Sequence, residues 1–103
     1  MRLSDMKSAD EVLQEQLQDP AFREEWERTA LARAVATRVV AYRVEHGLSQ
    51  ASLARQLGVS QPLVARLETG EHEPTFSTLT RLSRKLGMEF HIDITPTELK
   101  LSA

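Results

Sequence analysis

The sequence of 103 residues contains no cysteine, which excludes a disulfide framework and a metal site built from thiolates. No apolar run reaches the length of about 18 residues that a membrane-spanning helix needs. The first residues, MRLSDMKSADEV, lack the apolar core of a secretory signal peptide. From these three absences we expect a cytoplasmic protein without a membrane partner.

Motifs of enzymes and metal sites are missing as well. The sequence has no phosphate-binding glycine loop, no nucleophile elbow and no HExxH zinc motif. The three histidines, His46, His72 and His91, are widely separated along the chain. We therefore predict that the protein is not an enzyme, that it has no catalytic or metal-ligating residues and that it needs no cofactor.

Basic and acidic residues are unevenly distributed along the chain, whose formal net charge is −2. Three basic and eight acidic residues give residues 1–27 a net charge of −5. Six basic and two acidic residues give residues 28–70 a net charge of +4. A local excess of positive charge suits a polyanionic partner even when the whole protein is acidic. The acidic segment requires a separate explanation.

The region from Gly47 to Thr75 has the pattern of two short helices joined by a tight turn. The apolar positions of the first helix are Leu48, Leu53, Ala54 and Leu57. Gly58 supplies the turn, because a residue without Cβ adopts left-handed dihedral angles at little cost. Ser60 is placed to cap the second helix, and Pro62 falls in its first turn, where the missing N–H costs little.

The second helix is predicted to present polar side chains outward. Val64 and Leu67 are expected to face inward, which leaves Gln61 and Arg66 nearer the outside. Glutamine pairs bidentately with adenine and arginine with guanine, and a helix supported by a preceding helix fits the major groove of DNA. We therefore predict that this helix binds double-stranded DNA.

Residues 30–87 resemble the lambda-repressor-like (Cro/CI, or XRE) helix-turn-helix family. The resemblance rests on LSQ at 48–50, LA at 53–54, GVSQ at 58–61, RLE at 66–68 and LG at 86–87. It implies an all-α fold with a five-helix DNA-binding domain over residues 30–87. It also implies recognition of a palindromic operator.

The same resemblance implies base contact at Gln61 and Arg66 and phosphate contact at Gln50 and Ser60, and neighbouring residues complete the candidate sets. The candidates for base contact are Gln61, Pro62, Leu63, Ala65 and Arg66. The candidates for phosphate contact, through hydroxyl, amide or backbone N–H groups, are Ser49, Gln50, Ser60, Thr69 and Gly70. In similar domains an acidic residue at the position of Glu68 pairs with an arginine of the first helix, here Arg43. For Arg66, the alternative to base contact is an ion pair with Glu68.

Residues 1–29 are predicted to form an acidic helical extension. Residues 1–9 are expected to be frayed and residues 10–18 to form a short helix. Asp19 and Pro20 then have the pattern of a helix start, an N-cap followed by proline in the first turn.

A long helix is predicted to follow this start. Because no glycine or proline occurs between Pro20 and Glu45, we expect one helix of about 26 residues, roughly 40 Å long. A break near Thr29 is left open. The arginines of this segment recur every five residues, so they do not form one stripe, and Arg28 and Arg33 are expected to be solvated.

The end of the chain has a different periodicity. Met88, Phe90, Ile92 and Ile94 alternate with polar residues, which predicts a half-buried β-strand. One strand alone has unpaired backbone groups, so we expect it to pair with the same strand of a second copy. Residues 88–103 are therefore predicted to form a dimerisation segment, with a short tail after Pro96.

The whole chain also resembles the HigA-like antitoxins of bacterial toxin–antitoxin systems, through QDPAFREEWERTALARAV and EFHIDITP. This resemblance implies a homodimer that neutralises a small RNase toxin and represses its own operon. An acidic extension with Phe22, Glu25 and Trp26 would complement a basic toxin surface; packing of the two aromatic residues on their own domain is the alternative. The competing functions are a stand-alone dimeric repressor and an adaptor that has lost DNA binding.

Overall fold

A computed structural model describes residues 7–96 and 98–102 of the chain. These residues form six helices followed by a two-stranded sheet. The helices are α1 (Ala9–Gln16), α2 (Pro20–Arg28), α3 (Ala30–Glu45), α4 (Gln50–Leu57), α5 (Gln61–Thr69) and α6 (Phe76–Leu86), and the strands are β1 (His91–Thr95) and β2 (Glu98–Ser102). The predicted helical fold class is confirmed, with a small C-terminal sheet added, but residues 30–87 contain four helices, α3 to α6, where five were expected.

A single apolar core lies between α3, α4, α5 and α6. Its buried residues are Leu31, Val35, Val39, Leu53, Ala54, Leu57, Val64, Leu79, Leu82 and Met88. Complete burial of one leucine or valine side chain contributes about 1.5–3 kcal/mol, so this cluster holds the four helices together. The inward faces predicted for the two helices of the turn are confirmed, since Leu53, Leu57 and Val64 are almost inaccessible to solvent.

Local signals set the ends of the helices as the sequence predicts. The Ser60 hydroxyl accepts a hydrogen bond from the Leu63 N–H at 3.3 Å and caps α5. Gly58 ends α4 with φ +73°. The extension begins in the same way, because the Ser8 hydroxyl caps α1 by accepting from the Glu11 N–H at 3.1 Å. The predicted frayed segment includes residues 1–6, which lie outside the described part of the chain.

The helix expected from residue 19 to 45 is not continuous: it breaks at Thr29, as the alternative left open by the sequence allowed. Thr29 has φ −97° and ψ 8°, and its hydroxyl donates to the carbonyl oxygen of Glu25 at 3.0 Å. The Arg33 guanidinium donates to the carbonyl oxygen of Trp26 at 2.7 Å. These side chains bind carbonyl groups of the last turn of α2, and the Glu25 carbonyl oxygen also accepts from the Thr29 N–H at 3.1 Å.

The prediction of a single C-terminal strand is also wrong, because the predicted tail contains a second strand. β2 pairs with β1 antiparallel, with Ile92 opposite Leu101 and Ile94 opposite Leu99. Pro96 and residue 97 connect the strands, and residue 97 lies outside the described residues. Leu99 and Leu101 pack on the core with Ile92. The strand therefore finds its partner within the same chain, because the tail repeats the apolar alternation of β1.

No helix in the described part of the chain is both long enough and apolar enough to cross a bilayer.

Candidate nucleic-acid interface

The N-terminal ends of α4 and α5 lie side by side on the surface. The Gln61 Nε2 group at the start of α5 donates a hydrogen bond to Gln50 Oε1 at the start of α4, at 2.8 Å. Gln61 is exposed and Gln50 is half-buried. Because α5 also packs on α3, the first turn of α5 is held in place from two sides.

An ion pair between α3 and α5 supports this arrangement. Arg43 of α3 donates to Glu68 of α5 through Nη2 at 2.8 Å and through Nε at 3.0 Å. The Glu68 side chain is only 8% exposed, and the Arg43 side chain is 25% exposed. The hydrogen bonds from Arg43 to this carboxylate raise the pKa of the arginine. Glu68 also accepts from Gln50 Nε2 at 3.1 Å.

The pairing of Arg43 with Glu68 agrees with the one implied by the family resemblance. Among the described residues, the ion pair of Glu68 is with Arg43 and not with Arg66. Arg66 is exposed on the outer face of α5, as are Gln61 and Pro62, while Leu63 and Ala65 are half-buried. The five candidates for base contact therefore lie on one short helix, and their contact with bases stays a prediction.

The candidates for phosphate contact divide into polar groups at helix ends and one buried glycine. The Ser49 hydroxyl caps α4 by accepting from the Ser52 N–H at 3.0 Å, as Ser60 caps α5. The Ser49 hydroxyl also donates to the Ser52 hydroxyl at 3.0 Å, whereas a capping hydroxyl such as that of Ser60 keeps its own proton for donation to an anion. The Thr69 hydroxyl donates to the carbonyl oxygen of Arg66 at 2.7 Å. Their contact with phosphates also stays a prediction.

Gly70 has a structural position at the end of α5. Its φ is +68°, and a Cβ in its place would lie 3.4 Å from the Arg33 Cα and 3.5 Å from the Ala36 Cβ. Its N–H donates to the carbonyl oxygen of Leu67. These distances are ordinary van der Waals contacts, so the positive φ, which L side chains rarely adopt, is what favours glycine at this position.

The aromatic residues predicted to bind a partner pack on their own chain. Phe22 and Trp26 stack with their ring centroids 6.2 Å apart, and the Arg33 guanidinium carbon lies 3.3 Å from the centroid of the Trp26 ring. Both rings are half-buried. Glu25 accepts hydrogen bonds from Arg28 on the surface of α2. Contact with a partner protein stays a prediction for all three candidates.

Sequence reasoning missed the role of Arg33. It is half-buried rather than solvated, and desolvation lowers its pKa. Its hydrogen bonds to the α2 terminus leave no sequence signal, because the acceptor at Trp26 is a main-chain carbonyl. The prediction for Arg28 is confirmed: this residue is exposed, and the hydrogen bond with Glu25 raises its pKa.

A second surface feature is an apolar groove of about 860 Å³ between α2, the start of α3, the start of α6 and the hairpin. Its apolar lining includes Trp26, Phe76, Ile92, Ile94, Leu99 and Leu101. Phe76 is 76% exposed and Ile94 is 71% exposed. No residue of α4 or α5 lines the groove, so it is separate from the surface formed by the first turns of those helices.

The four residues predicted to mediate dimerisation have different environments. Met88 is buried in the core of its own chain, while Phe90 and Ile92 are half-buried against that core. Phe90 also lies under the Arg38 guanidinium, 4.7 Å from ring centroid to carbon. Ile94 is therefore the predicted dimerisation residue with the most surface left for a second copy.

A model of the helix-turn-helix family HTH_3 matches residues 39–91. Antitoxin HigA1 of Mycobacterium tuberculosis is 37% identical over 74 residues, which cover 72% of this chain and 50% of HigA1. The chain thus aligns with about half the length of that relative. A helix-turn-helix-type transcriptional regulator of Haemophilus influenzae is 34% identical, over 75% of this chain and 76% of the regulator.

A solved structure shares part of the fold. The crystal structure of an HTH_3 family transcriptional regulator from Vibrio cholerae superposes with a TM-score of 0.54 at 28% identity. The match covers 59% of this chain and 34% of that one.

Proposed function

Because this chain belongs to the HTH_3 helix-turn-helix family, we propose that it is a sequence-specific DNA-binding regulator in which α5 enters the major groove. The observation that carries the proposal is the pair Gln50 and Gln61, whose amides meet at the first turns of α4 and α5. A glutamine at the start of a recognition helix is placed to read adenine. Family membership and the names of the regulators among its relatives point to a non-enzymatic role.

Charge supports DNA as the ligand. Residues 28–70, which include α3, α4 and α5, carry the net charge of +4. Backbone N–H groups at the first turns of α4 and α5 add partial positive charge. Phosphate contacts from these turns would fix the register, and contacts from Gln61 and Arg66 would specify the bases.

The test is a selection from a library of randomised DNA duplexes with the full chain. We expect enrichment of one motif, and affinity for that motif should fall steeply as salt concentration rises. Gln61→Ala should relax preference at one base pair of the motif. A library that shows no enriched sequence would contradict the proposal and would favour an adaptor without DNA binding.

We further propose that the regulator binds its operator as a homodimer. The apolar groove supports this, because Phe76 and Ile94 expose large apolar side chains on a surface separate from the first turns of α4 and α5. The groove is also lined by Glu24, Glu73 and Lys100. Charges of both signs beside an apolar centre suit the self-complementary contact that a twofold axis creates.

The finer proposal is that the protein is an antitoxin that neutralises an RNase toxin and represses its own operon. The similarity to a relative named antitoxin HigA1 supports it. The excess of acidic residues in the extension also supports it, because RNases bind an anionic substrate with basic surfaces. Phe22, Glu25 and Trp26 on α2 are the proposed contacts.

Co-expression with the adjacent gene tests the antitoxin proposal. We expect the neighbouring product to be toxic alone and to co-purify with this chain. Phe22→Ala and Glu25→Lys should weaken the complex, whereas Arg66→Ala, on the DNA-binding helix, should leave it unchanged. A neighbour that is neither toxic nor bound would instead favour the stand-alone dimeric repressor, which the regulators among the relatives also support.

A further inference from the structure

Four side chains form a continuous set of hydrogen bonds from the interior to the surface of the DNA-binding helices. Arg43 binds Glu68, Glu68 binds Gln50, and Gln50 binds Gln61. We infer that Glu68 determines base specificity through this amide relay, fixing the orientation of the Gln61 amide so that it reads adenine. The inference rests on the proposed function, because it concerns the same recognition helix.

The first step of the relay fixes the amide of Gln50. The Glu68 side chain is 8% exposed, and its carboxylate is paired with the Arg43 guanidinium. An ionised carboxylate has acceptors but no donor. The group of Gln50 that lies 3.1 Å from Glu68 Oε2 must therefore be the NH₂ group. The Gln50 carbonyl oxygen is then directed to the other side, toward Gln61.

The second step fixes the amide of Gln61. Gln50 Oε1 is an acceptor, so the Gln61 group at 2.8 Å from it must also be an NH₂ group. Of the two N–H groups of Gln61, one is used by Gln50. One N–H donor and the carbonyl oxygen remain for a base.

One donor beside one acceptor matches the major-groove edge of adenine. Adenine presents the N7 acceptor next to the N6 amino donor, whereas guanine presents two acceptors, N7 and O6. A glutamine with both N–H groups available can donate to both guanine acceptors. Gln61 cannot, because Gln50 occupies one of its donors. The relay thereby excludes guanine, which a glutamine with two available N–H groups would tolerate.

The test compares adenine with guanine at the base pair that Gln61 reads. The probes are duplexes of the motif selected by the wild-type chain, and the relevant position is the one where Gln61→Ala removes the preference. For the wild type we expect adenine to be favoured about tenfold to a hundredfold. Glu68→Gln should reduce this ratio to less than about threefold, because an amide at position 68 can donate as well as accept.

Two further variants separate specificity from folding. Gln50→Ala removes the two hydrogen bonds that connect Glu68 to Gln61 but retains the Arg43–Glu68 ion pair. It should therefore lose the adenine preference with little loss of stability. Arg43→Lys weakens the ion pair but keeps the carboxylate, so it should lower the melting temperature and retain the preference. In all three variants the preference at the position read by Arg66 should stay unchanged.

The outcomes distinguish the relay from the DNA binding on which it rests. An adenine preference that persists in both Glu68→Gln and Gln50→Ala would overturn the relay while leaving the regulator proposal intact. If Arg43→Lys lost the adenine preference as fully as Glu68→Gln and Gln50→Ala, looser packing and not amide orientation would be responsible for the loss. If no motif is enriched by the wild-type chain, both proposals fail.

Discussion

Two arginines of α3 illustrate how the environment decides the role of a charged residue. Arg43 faces a buried carboxylate, and the hydrogen bonds between them raise the pKa of the arginine. Arg33 faces an indole ring, the Trp26 carbonyl oxygen and the Thr29 hydroxyl, and desolvation lowers its pKa. The first arginine supports the DNA-binding helix, and the second supports the corner between α2 and α3.

We expect Glu68→Ala to destabilise the fold by about 2–3 kcal/mol. Removal of one partner from a buried ion pair costs about 3–5 kcal/mol, and the value here is lower because Arg43 still reaches solvent. Urea unfolding of the full chain measures this change. Glu25→Ala, which breaks an exposed pair with Arg28, is the matched control and should leave the midpoint almost unchanged. Equal midpoints for the two variants would contradict the structural role of the buried pair.

Arg66→Ala should reduce specific DNA affinity by roughly 1–3 kcal/mol and relax the base preference at one position. The reason is that Arg66 is exposed on α5 and, among the described residues, has no carboxylate partner within ion-pair distance. Titration of duplexes that differ at single base pairs measures the effect. Arg84→Ala on α6 is the control and should leave every base preference as it is. A uniform loss across all sequences would show that Arg66 binds only phosphate.

At the scale of elements, the helix-turn-helix was predictable, whereas the break near Thr29 was only an open alternative and the C-terminal hairpin was missed. Gly58, Ser60 and Pro62 act within a few residues of their own positions, so their roles can be read from the sequence. The break at Thr29 depends on Arg33, whose contacts with Trp26 exist only in the folded corner. No glycine or proline marks this break in the sequence.

The hairpin was missed for a related reason. The tail after Pro96 has only two apolar residues in β2, Leu99 and Leu101, which is too short a pattern to identify a strand. Their partners across the sheet, Ile92 and Ile94, were predicted to face a second copy of the chain. The alternation was interpreted correctly, but the partner strand was assigned to the wrong molecule.

The corner between α2 and α3 can be tested through the fluorescence of Trp26, the single tryptophan of the chain. Arg33→Ala removes both the cover of the ring and the hydrogen bond to the Trp26 carbonyl. We expect emission at longer wavelength and a loss of about 1 kcal/mol in stability. Arg33→Lys should preserve part of the effect, because lysine keeps the charge but not the planar fork. Identical spectra for wild type and Arg33→Ala would contradict this packing.

At the scale of the whole molecule, the described fold separates the proposed surface for DNA from the proposed surface for protein partners. The candidate base-contacting residues belong to α5, whereas the groove is lined from α2, α3, the start of α6 and the hairpin. A dimer that uses the groove would leave α5 available in each copy. Two such helices spaced about 34–36 Å apart would match half-sites one turn apart on DNA.

We expect Ile94→Asp to weaken the dimer without unfolding the chain. Ile94 is 71% exposed, so its substitution places the charge at the proposed interface and not in the core. Light scattering should show the mass falling from that of a dimer toward that of a monomer, with unchanged circular dichroism. Ile92→Asp is the contrasting variant, since Ile92 packs on the core and its charge should lower the melting temperature. A dimer mass that Ile94→Asp does not change would exclude this surface.

The close approach at Gly70 has a consequence for how the two surfaces communicate. The end of α5 rests against the main chain of Arg33, and the side chain of Arg33 holds the α2 corner. Arg33 also lines the apolar groove, so this one residue contacts both the end of the proposed recognition helix and the corner beside the proposed protein-binding surface. If a ligand that displaced Arg33 from Trp26 changed the affinity for DNA, reciprocity would require DNA to change the affinity for that ligand by the same factor.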